Sequence, residues 1–168
     1  LGAVSISSRD NALPPAVELD PPQLRDEAAI YYEALEGMLV QVTEPAVVVG
    51  PTTQYGEYAL VREEWSISRV MKGEPAGLLI FADDGSDVTH VDGSTLPYAV
   101  KVGDTVTGLI GPLAFTYDAF KIEPISVPTV FPAEYVLPTI EPASEGGFSI
   151  ATFNVENLFD VKDPHPSS

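Results

Sequence analysis

Short strand-like stretches, broken at glycine and proline, fill the middle of the chain and constrain its fold more than any other feature. Most of them alternate apolar and polar residues or are rich in β-branched residues, and no long helical pattern separates them. Strands of this kind are typical of a small antiparallel barrel or sandwich. The stretches are 38–42, 46–50, 56–65, 76–84, 104–113 and 117–125.

Two glycines near the end of this region have predictable roles. Gly103 with Asp104 predicts a turn immediately before a strand. Gly108 falls inside the next strand-like stretch, where a glycine indicates a bulge or a bend. Small barrels need such bends for the sheet to curve.

One helix is predicted before the strands. Asp20 is positioned to cap it, Pro21 and Pro22 suit its first turn, and Gly37 ends it. One face is apolar at helical spacing. That face carries Leu24, Ala28, Tyr31 or Tyr32, and Leu35.

The organisation expected from these patterns has four parts. Residues 1–19 form a tail or the end of an upstream unit, and 20–124 form the helix with a barrel over about 34–124. Recurrent prolines make 125–147 an extended, proline-rich connector. Residues 148–168 begin a new strand that the chain does not complete, so we expect the chain to be a fragment of a longer protein.

Composition narrows the functional classes. The chain has 25 acidic and 8 basic residues, a formal net charge of -17, which opposes unaided electrostatic binding of nucleic acid. It has no cysteine, which excludes disulfides, a thiol nucleophile and cysteine-ligated metals. No stretch approaches the length of a membrane span, so no membrane partner is expected. A signal peptide upstream of the chain remains compatible with the sequence.

The most acidic stretch, FADDGSDVTHVDGS, runs from 81 to 94. Its carboxylates crowd a glycine-containing loop and could hold calcium, but the bidentate glutamate and regular alternation of an EF-hand are missing. A solvated loop is the preferred interpretation, with His90 on the surface. The candidate calcium ligands are Asp83, Asp84, Asp87 and Asp92.

Aromatic residues in the strand region raise a second possibility, because barrels of this kind can bind single strands by stacking bases on exposed rings. A basic groove is not evident, and core packing is the preferred role for most of the rings. A local basic patch could still form from Arg62, Arg69 and Lys72. The rings are Tyr55, Tyr58, Trp65, Phe115, Tyr117 and Phe120.

The closing stretch, FSIATFNVENLFD, spans 148–160. Its alternation predicts a strand that delivers Asn154 at its end, followed by Glu156. Amide and carboxylate oxygens are ligands that suit magnesium or calcium.

This stretch resembles the first strand of the endonuclease/exonuclease/phosphatase (DNase-I-like) superfamily, in the form found in secreted bacterial nucleases. The middle of the chain, including VGDTVTGLIGPLAFTYDAFKIEP, is similar to the OB-fold-like accessory domain that precedes the catalytic domain in those nucleases. The resemblance implies a mainly β fold with a small OB-like barrel. It also implies that the catalytic domain continues beyond Ser168.

The resemblance assigns roles to few residues. It implies that Asn154 helps to position phosphate and metal in the full-length parent, and that Glu156 lies near a Mg²⁺ or Ca²⁺ ion. Neither His90 nor His165 falls in a histidine motif of the superfamily. The fragment is therefore expected to be inactive by itself.

The expected function is that of a non-catalytic accessory domain in an extracellular, metal-dependent nuclease. Its expected partners are the downstream catalytic domain and, weakly, DNA or RNA. Three alternatives stay open: a calcium-stabilised structural or spacer domain, a module that grips single-stranded nucleic acid directly, and an accessory domain of a phosphatase from the same superfamily.

Overall fold

The structure, a computed structural model, describes residues 5–9, 11–12, 14–70, 77–86, 88–91, 93–134, 148 and 150. The chain divides into two compact units, Leu1–Glu134 and Tyr135–Ser168. The helix and the strands given below all belong to the first unit. None of the helices in the described ranges is long and apolar enough to cross a membrane.

The first unit is mainly β, as the sequence predicts, and its described residues contain one α-helix, α1, at Arg25–Glu33. A short 3-10 turn covers Glu63–Trp65. The strands are β1 Val17–Glu18, β2 Leu39–Val42, β3 Ala46–Gly50, β4 Tyr58–Arg62, β5 Ile80–Ala82, β6 Thr105–Thr107, β7 Leu109–Thr116, β8 Ala119–Ile122 and β9 Thr129–Phe131.

These strands form one nine-stranded sheet in the order β1-β2-β7-β8-β5-β4-β3-β6-β9. Neighbours are antiparallel except for two parallel pairs, β1 with β2 and β5 with β8. Strand β7 is shared between two partners: Leu109–Pro112 pair with β2, and Leu113–Thr116 pair with β8.

Chain connectivity requires this sheet to curl. Strands β2 and β3 are second and seventh in the sheet, which in a flat sheet would place them about 24 Å apart. Only residues 43–45 join them, and the four peptide links involved reach at most about 14 Å. The same holds for β6 and β7, eighth and third in the sheet, which Gly108 alone connects. The sheet therefore bends round until its distant strands meet.

The predicted glycine turns are confirmed. Gly103 has a φ of +92° and precedes β6, and Gly108 has a φ of +70° between β6 and β7. Residues with side chains rarely adopt such angles. Glycine at position 108 therefore permits the sharp bend by which the chain passes directly from β6 to β7.

The core lies inside the curl and under α1. Inward positions of the strands alternate with outward ones, and Ala28 and Tyr32 of the helix pack on the same cluster. The largest fully buried side chains are Leu19, Val40, Val42, Val48, Leu60, Val61, Ile80, Val106, Leu109, Leu113 and Ile122.

The helix begins later than predicted. Leu24 is its N-cap, with no side-chain hydrogen bond, so the expected capping by Asp20 is wrong. The prolines keep this part of the chain out of helical conformation, because a residue before proline is disfavoured in the α region. Gly77 also donates a hydrogen bond to the Gln23 carbonyl at 2.9 Å and holds the entry segment. Gly37 was predicted to end the helix, but the helix ends at Glu33, and Gly37, with a φ of +75°, closes the turn that follows it.

Two edge strands fall outside the predicted barrel limits. Strand β1 lies within the stretch 1–19, and β9 lies within the proline-rich stretch 125–147 and pairs with β6. The rest of that connector from 135 onward, and the closing stretch apart from Phe148 and Ile150, lie outside the described residues.

Candidate functional site

Two loops lie at opposite ends of β8 and its neighbouring strands, and Lys121 contacts a residue of each. The first, residues 51–57, joins β3 to β4 and is closed by a hydrogen bond from Thr53 N to Glu57 O at 2.8 Å. The second is the hairpin turn between β7 and β8. Because Thr116 pairs with Ala119, only Tyr117 and Asp118 remain in this turn.

The hairpin turn has an unusual backbone. Tyr117 and Asp118 have φ values of +50° and +64°. A two-residue turn with two positive φ angles matches the twist of a hairpin, but it normally carries asparagine and glycine. A tyrosine in this conformation is strained, and such strain is found preferentially at functional sites.

Lys121 of β8 contacts Glu57 of the first loop and Tyr117 of the second. Its ammonium group donates to Glu57 Oε1 and to Asp83 Oδ2, the latter at 3.3 Å, and lies 5.3 Å from the centroid of the Tyr117 ring. The side chain is 3% exposed. Burial disfavours its charged form, but the two carboxylates outweigh burial and raise the pKa of Lys121. The lysine is therefore a neutralised structural link and offers no free positive charge.

Three of the predicted aromatic residues are exposed: Tyr55 and Tyr117 in these loops, and Phe115 in β7. Tyr117 is 90% exposed, Tyr55 53% and Phe115 47%. Phe115 contacts Phe120, with 4.7 Å between ring centroids, and Phe120 stacks on Tyr32 of α1 at 5.8 Å. A row of three rings thus runs from α1 through Phe120 and supports Phe115.

The other two aromatics differ. Tyr58 is a core residue, as preferred from the sequence, and its hydroxyl lies 2.8 Å from that of Tyr98. Burial raises the pKa of Tyr58 far above its ordinary value. Trp65 lies in the 3-10 turn, partly exposed.

The acidic loop contains a buried cluster that the sequence did not indicate. His90 was expected at the surface, and this is wrong: only 2% of its side chain is exposed. Its Nε2 lies 2.8 Å from Asp84 Oδ2, and its Nδ1 lies 2.6 Å from Thr95 Oγ1. The Ser86 amide also donates to Asp84 Oδ1 at 3.0 Å. Burial removes the water that would solvate an exposed histidine side chain. Polar partners at both ring nitrogens take the place of that water.

This cluster fastens the acidic loop to the first of the two loops. His90 donates its backbone N–H to the carbonyl of Gln54 at 2.7 Å. Gly56 lies against the Asp84 carboxylate so closely that a Cβ there would be 2.6 Å from Asp84 Cγ. The position of Tyr55, between Gln54 and Gly56, is therefore set by the buried pair.

The described residues include two of the four candidate calcium ligands, Asp83 and Asp84. Asp83 binds Lys121 through one oxygen, and its other oxygen, Oδ1, is buried without a hydrogen-bond partner. Both oxygens of Asp84 are used by Ser86 and His90. Asp87 and Asp92 lie outside the described residues. Within the described ranges, no three histidine, aspartate or glutamate side chains are grouped to hold a metal ion.

The candidate nucleic-acid residues are not seen together. Arg62 is largely buried, donates to the Leu19 carbonyl at 2.9 Å and contacts Glu64 at 2.6 Å. Arg69 is exposed, and Lys72 lies outside the described residues. Arg62 thus stabilises the junction of β1 and β4.

The residues singled out by the nuclease resemblance, Asn154 and Glu156, also lie outside the described residues. The groups that sequence reasoning missed are therefore His90, Thr95 and Lys121. Alternation in β8 places Phe120 and Ile122 on the core face and Lys121 on the opposite face, so the sequence pattern gave no sign that Lys121 is buried. No sequence signal marks His90 either, because its partners come together only when the loop folds.

Comparison with known proteins gives one match. No curated protein and no solved structure matches the chain. A family profile does match, over residues 8–132, which include α1 and all nine strands. The chain therefore belongs to the family described as domain of unknown function DUF8508.

Proposed function

We propose that this domain is a non-catalytic accessory module of an extracellular, metal-dependent nuclease that hydrolyses phosphodiester bonds. The observation that carries the proposal is the order of two features along one chain. A curled β domain comes first, and the stretch that resembles a nuclease opening strand follows it at 148–160.

An OB-like barrel is the finer fold that we propose, and the strand order supports it. If β2 and β3 are counted as one bent strand, five strands follow one another in a ring: β2/β3, β4, β5, β8, β7 and back to β2. Antiparallel neighbours with one parallel contact, between β5 and β8, suit a five-stranded Greek-key barrel of OB type.

The chemistry of the parent would come from residues beyond this domain. In the proposal, Asn154 orients the scissile phosphate and Glu156 contributes an oxygen near a Mg²⁺ or Ca²⁺ ion. Such an ion supplies charge neutralisation and an activated water when it is bound. The domain described here spaces, stabilises or positions the catalytic domain on its substrate, and its buried ion pairs serve its own fold.

The test is a nicking assay on plasmid DNA with the chain extended through its natural continuation beyond Ser168. We expect cleavage with magnesium or calcium, none with a chelator, and a loss of at least about a hundredfold in Asn154→Ala. Asn157→Ala is the matched control, because the resemblance gives that neighbouring amide no role. The 168-residue chain itself should not cleave DNA or RNA.

Two outcomes would count against the proposal. An extended chain inert on every nucleic acid, but active on lipid or small phosphoesters, would favour the phosphatase alternative. Equal losses in Asn154→Ala and Asn157→Ala would remove the assigned role of Asn154.

A calcium-stabilised structural domain is the second candidate, and the unpartnered Oδ1 of Asp83 favours it. Calorimetric melting of the 168-residue chain with calcium and with chelator separates the two. An ion that binds only the folded state must raise the midpoint, so an unchanged midpoint rejects this candidate.

A further inference from the structure

Lys121 is a buried amine, and its surroundings are largely apolar. Its side chain is 3% exposed, whereas lysine is rarely buried to this degree. It stands beside Phe81 of β5 and Ala114 of β7, because residues paired across neighbouring strands lie on the same face. The centroid of the Tyr117 ring lies 5.3 Å from its amine nitrogen, Nζ. A lysine amine removed from water in this way can act as a nucleophile.

The Asp83 carboxyl group is placed to react with this amine. Its Oδ2 lies 3.3 Å from Lys121 Nζ. The carboxyl carbon, Cγ, is bonded to Oδ2 and is therefore no more than about 4.5 Å from Nζ. Reacting atoms in a productive arrangement are about 3–3.5 Å apart, so a small side-chain movement is sufficient. The other oxygen, Oδ1, is buried without a hydrogen-bond partner among the described residues, so its departure breaks no contact there.

Glu57 supplies a base at the same nitrogen. Its Oε1 accepts a hydrogen bond from Lys121 Nζ. An ammonium group has no lone pair, so it must first lose a proton, and the contacting carboxylate can accept it. Glu57 and Asp83 together raise the pKa of Lys121, so the neutral amine is rare. A bond that forms only once in each chain needs no more than a rare state, because the amide is stable once made.

We propose that Lys121 and Asp83 condense to an intramolecular isopeptide bond, with Glu57 as the base. Nζ gives a proton to Glu57 and attacks Asp83 Cγ, which forms the Nζ–Cγ bond. The Cγ–Oδ1 bond then breaks, and Oδ1 leaves as water. Two ammonium protons end on this water by way of Glu57, which is unchanged afterwards, so no other reactant is needed. The proposal does not rest on the nuclease assignment.

The bond would join the parallel strands β5 and β8 covalently. Asp83 directly follows β5 and Lys121 lies in β8, so the link closes a loop of residues 84–120. A cross-link over a long loop stabilises a protein mainly by restricting its unfolded chain. The chain has no cysteine, so a disulfide cannot serve this purpose. An isopeptide bond requires no oxidant and is not broken by reductants.

The test is the intact mass of the denatured 168-residue chain, followed by tryptic peptide mapping. We expect a mass lower than the sequence mass by one water molecule. Trypsin cannot cleave after a linked Lys121, so peptide 102–162 should stay whole and be joined to peptide 73–101, which carries Asp83. A parent chain at its full sequence mass overturns the proposal. Neither result bears on the nicking assay.

The same peptide map distinguishes two other losses of water. Asp84 precedes Gly85, a sequence that can cyclise to a succinimide. That product would change peptide 73–101 alone and leave cleavage after Lys121 intact. A bond from Lys121 to Glu57 would instead join peptide 102–162 to peptide 26–62. Either result overturns the assigned bond.

Three variants test the roles of the residues. Lys121→Arg keeps a positive charge beside both carboxylates but lacks a nucleophilic amine, and Asp83→Ala lacks the carboxyl group. Both should keep their full mass. Glu57→Gln should remain largely unlinked when the parent chain is fully linked, because a general base contributes about a hundredfold or more in rate. A fully linked Glu57→Gln chain overturns the role of Glu57.

The Lys101–Asp104 pair is a matched control within the same chain. These side chains are also in contact, but that of Lys101 is 57% exposed. The Asp104 carboxylate also accepts hydrogen bonds from the backbone amides of Lys101 and Ala133. A hydrated ammonium group stays charged, so we expect normal cleavage after Lys101. A link at this pair would show that contact alone suffices, and would overturn the argument from burial.

Discussion

His90 Nε2 and Asp84 Oδ2 lie 2.8 Å apart, with only 2% and 5% of the two side chains exposed. The pair lies in the most acidic loop of the chain, where the sequence predicts solvated carboxylates. The pair fixes this loop to the rest of the domain, because His90 also contacts Thr95 through its ring and donates a backbone hydrogen bond to Gln54.

Removing the imidazole should destabilise the domain strongly. In His90→Ala the buried Asp84 carboxylate keeps Ser86 but loses its nearest partner, and we expect a loss of about 2–4 kcal/mol. Urea unfolding of His90→Ala, Asp84→Ala and the double variant measures the coupling. If the two losses add within about 0.5 kcal/mol, the residues do not act as a pair.

Asp104 should make stability fall in acid. Burial acts to raise the pKa of Asp104, but hydrogen bonds from Lys101 and from the Ala133 amide, with the charge of Lys101, outweigh burial and lower it. A carboxyl with a lowered folded-state pKa stabilises above its unfolded pKa of about 4, and that stability is lost as the pH falls through the folded value. Unfolding free energies at pH 7 and pH 3 should differ more for the parent chain than for Asp104→Asn. Equal differences would contradict this.

Removing Lys121 alone should lower the free energy of unfolding more than replacing Lys121 together with its two carboxylate partners. Lys121→Met leaves Glu57 and Asp83 unpaired, and we expect a loss of about 2–4 kcal/mol, moderated because Glu57 is partly exposed. Adding Glu57→Gln and Asp83→Asn removes the orphaned charges and should recover part of the loss. Denaturant unfolding of the single and triple variants decides this. A triple variant less stable than Lys121→Met would refute the explanation.

Gly111 should tolerate no side chain. A Cβ at this position in β7 would overlap the Glu123 carbonyl, which belongs to backbone and cannot turn aside. We expect Gly111→Ala to cost more than about 3 kcal/mol. Gly37→Ala is the control, because a Cβ at position 37 would meet no atom within 4 Å and only the positive φ disfavours alanine there. This variant should lose about 1 kcal/mol of stability. Similar melting temperatures for the two variants would contradict the clash.

Relaxing the hairpin turn should stabilise the domain. Asparagine and glycine at positions 117 and 118 accept positive φ angles without strain, so we expect the double replacement to add about 1–2 kcal/mol. Thermal and urea unfolding measure the gain. A loss of stability would show that Tyr117 stabilises the hairpin through its contact with Lys121.

The sequence predicted the strands, the glycine bend at Gly108 and the turn at Gly103, because these depend on local alternation and on backbone freedom. It misplaced the helix start, since Gly77, more than fifty residues away, holds the entry segment. It could not predict the buried roles of His90 and Lys121. Both depend on partners that come from other loops and strands, and a polar residue in a polar stretch gives no sign of burial.

The parallel contact between β5 and β8 also sets an order of folding. Residues 83–118 separate these strands, so their pairing closes a long loop that local structure cannot hold in place beforehand. During synthesis the β3–β4–β5 meander can form early, but β2 must wait for β7, and β5 for β8, before their open edges are covered. Until about residue 122 has left the ribosome, those edges remain open to other chains, which makes the half-made domain the species most exposed to aggregation.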